Sequence, residues 1–474
     1  MRVAELLPLA ALGAGALSVL FIGILKAQSR TRIAQVLTLI SLAASLVLFV
    51  RSAGGRAFGG VFMYDTLSII LILTAVISAF LFTAFAIPYL TERRKLFGSE
   101  FFFFLLTALA GVIVMVCSGN LLIIVIGLEM LSVSLYFLAA MDRTSARGIE
   151  GAVKYFIMGA VALAFMLYGI SLVYGFTHTI ELERAVGYAA VNSPYPLYFY
   201  LGVLFILIGF SFKLALVPFH FWAPDAYEGS SVLSTGIMSV LPKIAAFAVL
   251  AKVAGFFFAS QSTIAGGERM IFLYTLAALA VLSMIVGNVL ALAQPSLKRL
   301  LAFSAIVHSG FIASVLITEG GVQQAALYLA AYAATSAGMF AVLTAIADEN
   351  DGNLTLMGLN GLSARSPVLA ALAVLFIASY AGLPPLAGFI GKFYVFKGLI
   401  ESGYEWLAVI GIINALLSIA YYLKIIMAMY AYNGEASFRA QSHRPSKIVT
   451  AAAFIAAILV VAIGVWPNMI LGFF

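Results

Sequence analysis

The sequence predicts an all-α polytopic membrane protein, and three observations lead there. Of 474 residues, 64% are hydrophobic and only 9% are charged, whereas a soluble domain carries about 25% charged residues. Apolar runs of about twenty residues recur from end to end, each long enough to cross ~30 Å of hydrocarbon. Stretches such as 39–50 and 372–378 do not alternate polar and apolar, as barrel strands would. Since each crossing must satisfy its own backbone hydrogen bonds, the runs are helices.

In order, the runs place about fourteen helices at 5–25, 32–50, 62–90, 98–118, 120–141, 148–176, 196–218, 231–256, 270–292, 298–317, 321–347, 366–384, 404–432 and 449–472. The first exceeds a signal-peptide core and lacks a clear cleavage site, so it reads as a retained helix. Helix 7 is expected to break near Pro218 and continue to about Tyr227. Helix 12 is expected to break at Pro384 and Pro385 and resume to about Leu399. The connections 177–195, 348–365 and 433–447 are too short for a water-soluble domain.

Loop charges set a topology. Connections after odd-numbered helices hold about fourteen Lys and Arg, among them Arg30, Arg94, Arg147, Lys298, Arg299 and Lys447. The opposite side holds about seven, among them Arg51, Arg184 and Lys252. The richer side belongs in the cytoplasm, which puts both termini outside and explains the net charge of +7 without a nucleic-acid partner.

Five lysines are left over, all within predicted helices: Lys154, Lys213, Lys243, Lys392 and Lys424. No arginine is among them. Lysine can lose its proton when buried, whereas arginine effectively cannot, so a path that loads and unloads protons needs the former. An ionisable residue at mid-membrane costs about 2.5–3.5 kcal/mol. Glu129, in "IGLEMLS", is the one acid placed comparably deep, in helix 5, and His308, in "IVHSG", lies mid-helix 10. Structural ion pairing or snorkelling to the interface is the competing explanation. It weighs most for Lys154, near a helix start, then for Lys424, and least for Lys213, Lys243 and Lys392.

The deep positions recur. Glu129 and His308 are 179 residues apart, as are Lys213 and Lys392, while Lys243 and Lys424 are 181 apart. Helices 4–8 and 9–13 therefore read as two five-helix repeats. An odd helix number inverts the second copy, and inverted repeats with broken helices place ion sites near the midplane. The corresponding division is 1–97, 98–256, 257–432 and 433–474. Both breaks pair proline with lysine, in "SFKLALVPFHFWAPDAYEG" and "AGLPPLAGFIGKFYVFK". Proline frees a carbonyl that inside a membrane needs water or a polar side chain; a kink that only shapes packing is the alternative.

A single cysteine, Cys117, excludes a disulfide framework and a cysteine-ligated cluster in this chain. The four histidines have no paired ligand spacing, so no metal site is expected. There is no nucleotide loop and no cofactor motif.

Five segments, "GLEMLSVSLYFLAA", "GIEGAVKYFIMGAVALAFMLYG", "FKLALVPFHFWAPDAYEG", "QPSLKRLLAFSAIVHSGF" and "YAGLPPLAGFIGKFYVF", resemble the subunit N family of proton-translocating NADH–quinone oxidoreductase, respiratory complex I. The likeness runs over about residues 60–430. It implies an antiporter-like subunit of a bacterial plasma-membrane arm, without a redox centre of its own, beside other membrane-arm subunits. Flavin, iron–sulfur clusters and quinone would belong to partner subunits. Glu129 would pair with Lys213, followed by Lys243 and then Lys392 as the group exchanging protons with the outside. His308 and Lys424 would lie on the same axis. One departure is "GSSVLST", where the family often has an Ala-Pro-Thr-Pro-like run before helix 8. A subunit of a multisubunit sodium/proton antiporter, or of a ferredoxin-, deazaflavin- or hydrogenase-linked relative, shares the charged row. A solute transporter working alone has no substrate pocket nameable from the sequence.

Overall fold

A computed structural model describes the chain apart from residues 1–5, 25–29, 53, 58–60, 93–97, 143, 186–196, 260–265, 348–350, 352–353 and 432–445. Several loop cations used for the topology, including Lys26, Arg93, Arg94, Lys95, Arg439 and Arg444, lie outside the described residues.

Among the described residues the chain runs α1 (Leu7–Ile24), α2 (Arg30–Arg51), β1 (Arg56–Ala57), β2 (Phe62–Met63), α3 (Thr66–Glu92), α4 (Gly98–Cys117), α5 (Leu121–Ala139), α6 (Ala146–Thr177), α7 (Leu197–Lys213) and α8 (Trp222–Gly229). It continues with α9 (Val232–Ala259), α10 (Gly266–Leu292), α11 (Leu297–Val315), α12 (Gly321–Ile346), α13 (Leu362–Arg365), α14 (Pro367–Ala381), α15 (Ala387–Glu401), α16 (Glu405–Tyr430), α17 (Lys447–Val465) and α18 (Asn468–Leu471). Twelve of these helices are long and apolar enough to cross a membrane. The shorter apolar helices α7 and α14 stand where the two broken helices were expected, and α8 and α15 follow the breaks.

The sequence accounts for the ends. Asn120 caps α5 by accepting from the backbone N–H of Leu122 at 3.0 Å and Ile123 at 3.3 Å. Ser145 caps α6 in the same way through Gly148. Gly382, at φ 89°, closes α14 in the left-handed conformation that favours glycine. Three expectations shift. Phe62–Met63, at the start of predicted helix 3, instead pairs antiparallel with Arg56–Ala57, and the helix begins only at Thr66. Predicted helix 7 stops at Lys213, five residues before its proline, because Leu216 N–H turns back to the Ser211 carbonyl and Ala215 takes φ 54°. Predicted helix 14 ends at Val465, where Pro467 prevents continuation and the short α18 follows.

Burial separates centre from rim. In α9 and α11, 94% of the spanning window is buried, and in α12, 89%; in α2, α6 and α16 the share is 33%. The first three therefore form the middle of the bundle, and the others present apolar side chains such as Ile40, Phe156 and Leu416 outward. Helices α6 and α7 meet at Gly169 and Gly202, where a Cβ on either would lie within 2.7 Å of the other's carbonyl oxygen. Small residues permit this backbone approach between membrane helices.

Candidate functional site

The buried charges singled out in the sequence fall into two regions, apart from the buried pair Lys298–Asp351 at 3.6 Å. In the first, Lys213 ends α7 just before the break, 5% exposed. Its ammonium faces three rings, with Nζ 5.3 Å from the Tyr136 centroid, 5.2 Å from Tyr155 and 5.6 Å from Phe212. Such faces attract a cation. Behind them Tyr155 stacks on Trp222 at 4.1 Å, and Trp222 Nε1 donates to the Phe212 carbonyl at 2.9 Å. Two buried polar atoms here have no hydrogen-bond partner in the protein, Lys213 Nζ and Tyr155 Oη. Glu129 sits half-buried on α5, within electrostatic range of Lys213 but not in an ion pair with it. The expected Glu129–Lys213 contact is thus absent in this conformation.

In the second region the polar groups hold one another. Lys243 on α9 is 3% exposed and donates to the Ala305 carbonyl at 2.7 Å and to Ser309 Oγ, both on α11. The residue before it, Pro242, lies inside α9 and cannot donate to Met238. That freed carbonyl accepts from Tyr227 Oη at 3.4 Å. His308, one residue from Ser309, has Nδ1 2.6 Å from Tyr328 Oη and Nε2 3.1 Å from Tyr422 Oη. Tyr422 also pairs with Ser304. Tyr332 and Tyr380 flank the imidazole at ring distances of 5.1 and 5.3 Å. Lys392, 4% exposed, donates to the Tyr380 carbonyl at 2.9 Å and the Ala381 carbonyl at 3.0 Å. These carbonyls end α14 at the second break, where no further helical turn uses them. Both breaks contain a cis peptide bond, Val217–Pro218 and Pro384–Pro385.

The structure therefore brings Lys243, His308 and Lys392 into one tyrosine-lined cluster, with Lys213 buried beside it across α9. Lys424 lies elsewhere. It is on the exposed face of α16 and donates to the Leu292 carbonyl at the end of α10, at 2.8 Å. The residue 179 positions after Lys243 is Tyr422, and it is Tyr422 that joins the cluster. A shift of two residues turns a helix by about 200°, which puts Lys424 on the opposite face. Lys154 is exposed and paired, 2.7 Å from both Glu150 and Asp225. Asp225 in turn meets Arg299 at 2.7 Å, and Arg299 meets Glu228 at 3.0 Å. This ion-pair group ties α6 and α8 to the start of α11. The tyrosines were not singled out in the sequence, because a tyrosine in an apolar helix reads as core; four of them crowding one histidine is a tertiary fact.

Residues 118–418 match the family described as NADH:quinone oxidoreductase/Mrp antiporter, TM. The chain is 37% identical over 424 residues to NADH-quinone oxidoreductase subunit N of Paramagnetospirillum magneticum, covering 87% of this chain and 85% of the relative. It resembles a chain of respiratory complex I from Thermus thermophilus with bound aureothin, with TM-score 0.81, 32% identity and 98% of each chain covered. The fold is also that of a chain in the Mrp complex from Dietzia sp. DQ12-45-1b, with TM-score 0.83 at 19% identity over 100% of this chain and 96% of the other.

Proposed function

The chain belongs to the subunit N family of NADH–quinone oxidoreductases, as an antiporter-like membrane subunit, and we propose that it moves protons along the buried row Lys213, Lys243, His308 and Lys392. The observation that supports this is three lysines and a histidine, each no more than 5% exposed, inside otherwise apolar helices. None of the three lysines has a carboxylate within ion-pair distance among the described residues. Charges at such depth are functional by default.

Glu129 is the modulator in this reading. An approaching carboxylate favours the ammonium form of Lys213, and a receding one favours the amine. Each change at Lys213 alters the field at Lys243 and so at Lys392, and the groups titrate as a coupled set. The two five-helix units, 98–256 and 257–432, each contribute one broken helix and one lysine beside it. The electron chemistry that drives the row is assigned to partner subunits, as are flavin, iron–sulfur clusters and quinone. The membrane is the bacterial plasma membrane, with both termini outside and the Arg299 end in the cytoplasm.

The test is proton pumping by the whole complex in reconstituted vesicles. Glu129→Ala or Lys213→Ala abolishes it; wild-type pumping in both sinks the reading. The sodium/proton alternative predicts pumping that depends on sodium and copurification without iron–sulfur and flavin subunits.

A further inference from the structure

Where α12 lies along α15, a polar strip leads away from His308. Tyr328, hydrogen-bonded to the imidazole, is four residues from Gln324, on the same face of α12. On α15 the facing positions are Gly391 and Gly398. A Cβ on Gly391 would touch the Tyr328 ring, and one on Gly398 would run into the Gln324 amide. Glycine at both sites lets these two side chains pass between the helices. Gln324 Oε1 is shut off from solvent and has no hydrogen-bond partner. The amide borders a polar cavity of about 440 Å³ whose lining includes Glu319, Glu401, Ser402 and Tyr404. A second line, along α15 itself, runs from Lys392 past Phe396, one turn on. Phe396 packs edge-on against Phe311 at 5.9 Å, and Phe311 lies under the Lys392 ammonium at 5.3 Å.

We propose that this cavity is the outward mouth of the buried row, with Gln324 as a positioning residue that anchors water between Tyr328 and the two carboxylates, and with Phe311 and Phe396 closing the direct line from Lys392. The inference rests on the row being the proton path. A proton leaving the Lys392 ammonium leaves a neutral amine, which still donates to the Tyr380 and Ala381 carbonyls. The proton passes as hydronium to the Glu401 or Glu319 carboxylate and from there to bulk water. Bulky apolar pairs hold such a line closed by excluding water, so the route by Gln324 is the wet one. The cavity lies at the end of α11 and α12 remote from Arg299, which is the outer side in the proposed orientation.

The chain's one cysteine, Cys117, is buried, so Gln324→Cys introduces a single accessible thiol in this subunit. In the assembled complex, in right-side-out and inverted vesicles, this thiol reacts with a membrane-impermeant methanethiosulfonate reagent only from the outer face. After reaction, protons moved per NADH oxidised fall to half or less. No reaction from that face, or reaction with an unchanged ratio, overturns the proposal. A second variant guards against misfolding: Glu319→Gln with Glu401→Gln changes two exposed side chains, lowers the same ratio, and overturns the role of the carboxylates if the ratio stays at wild type. Lys213→Ala is measured alongside. If it stops pumping while modified Gln324→Cys pumps normally, the mouth falls and the row stands; if Lys213→Ala pumps normally, the row itself falls.

Discussion

The surroundings of Lys213 and those of His308 are equally deep in the bundle, yet they are built differently. Around His308 both ring nitrogens, the hydroxyls of Tyr328, Tyr380 and Tyr422, and the ammonium groups of Lys243 and Lys392 have protein partners, while Tyr421 Oη, on the ring packed against Tyr422, has none. Around Lys213 the ammonium and Tyr155 Oη have none. A network satisfied at nearly every atom is stiff and holds one arrangement. A group of unsatisfied buried atoms is costly and gains from any incoming water or carboxylate. The difference makes the Lys213 region the responsive end of the row, where Glu129 can approach or withdraw, and the His308 region a preset relay.

The largest expected effect that tests this contrast is on stability. His308→Ala leaves the Tyr328 hydroxyl without a partner, at about 1–3 kcal/mol, while Tyr422 keeps Ser304, and the cavity opened among the four tyrosine rings adds a comparable cost. The complex should therefore lose about 2–6 kcal/mol in this subunit, seen as an earlier thermal transition of the solubilised complex. An unchanged transition would mean that the relay is not the tightly satisfied structure described.

Lys213→Met should act in the opposite direction and less strongly. It exchanges an unpartnered ammonium for an apolar chain of similar length amid Tyr136, Tyr155 and Phe212. The gain is at most about 3.5 kcal/mol, the insertion cost of the charge, while pumping is lost. A clear destabilisation would show that the ring faces hold the cation better than water does, and would make the two regions alike.

The parts of this contrast that the sequence made legible are those with a large local cost. A lysine in an apolar run stands out because it is expensive there, so Lys213, Lys243 and Lys392 could be named, as could Glu129 and His308. Proline next to lysine marked both breaks, although α7 unwinds before Pro218 rather than at it. What the sequence hid depends on side chains meeting across helices. Tyr328, Tyr380 and Tyr422 carry no local signal, since their rings pack like any core residue until a histidine lies among them. Asp225 and Arg299 are 74 positions apart and meet only because α8 folds back against α11. Strand β2 was read as the start of a helix because Phe62–Met63 is apolar and short.

The smallest effect concerns Lys424, and it decides how literally the repeat should be taken. By spacing it was the mate of Lys243, but its offset exceeds that of the other two pairs by two residues, and the exposed face of α16 is where the resulting rotation puts it. There its ammonium caps the Leu292 carbonyl, one of the last of α10, which lacks a partner within its own helix. Removing a cap on an exposed surface does not touch Tyr422, Ser304 or His308, so Lys424→Ala should pump protons at the wild-type rate in reconstituted vesicles. Tyr422→Phe, at the exact offset, removes the hydroxyl that faces His308 Nε2 and serves as the contrasting variant. Loss of pumping in Lys424→Ala with retention in Tyr422→Phe would reverse the assignment, and would mean that the row leaves the tyrosine cluster toward the α10–α16 face.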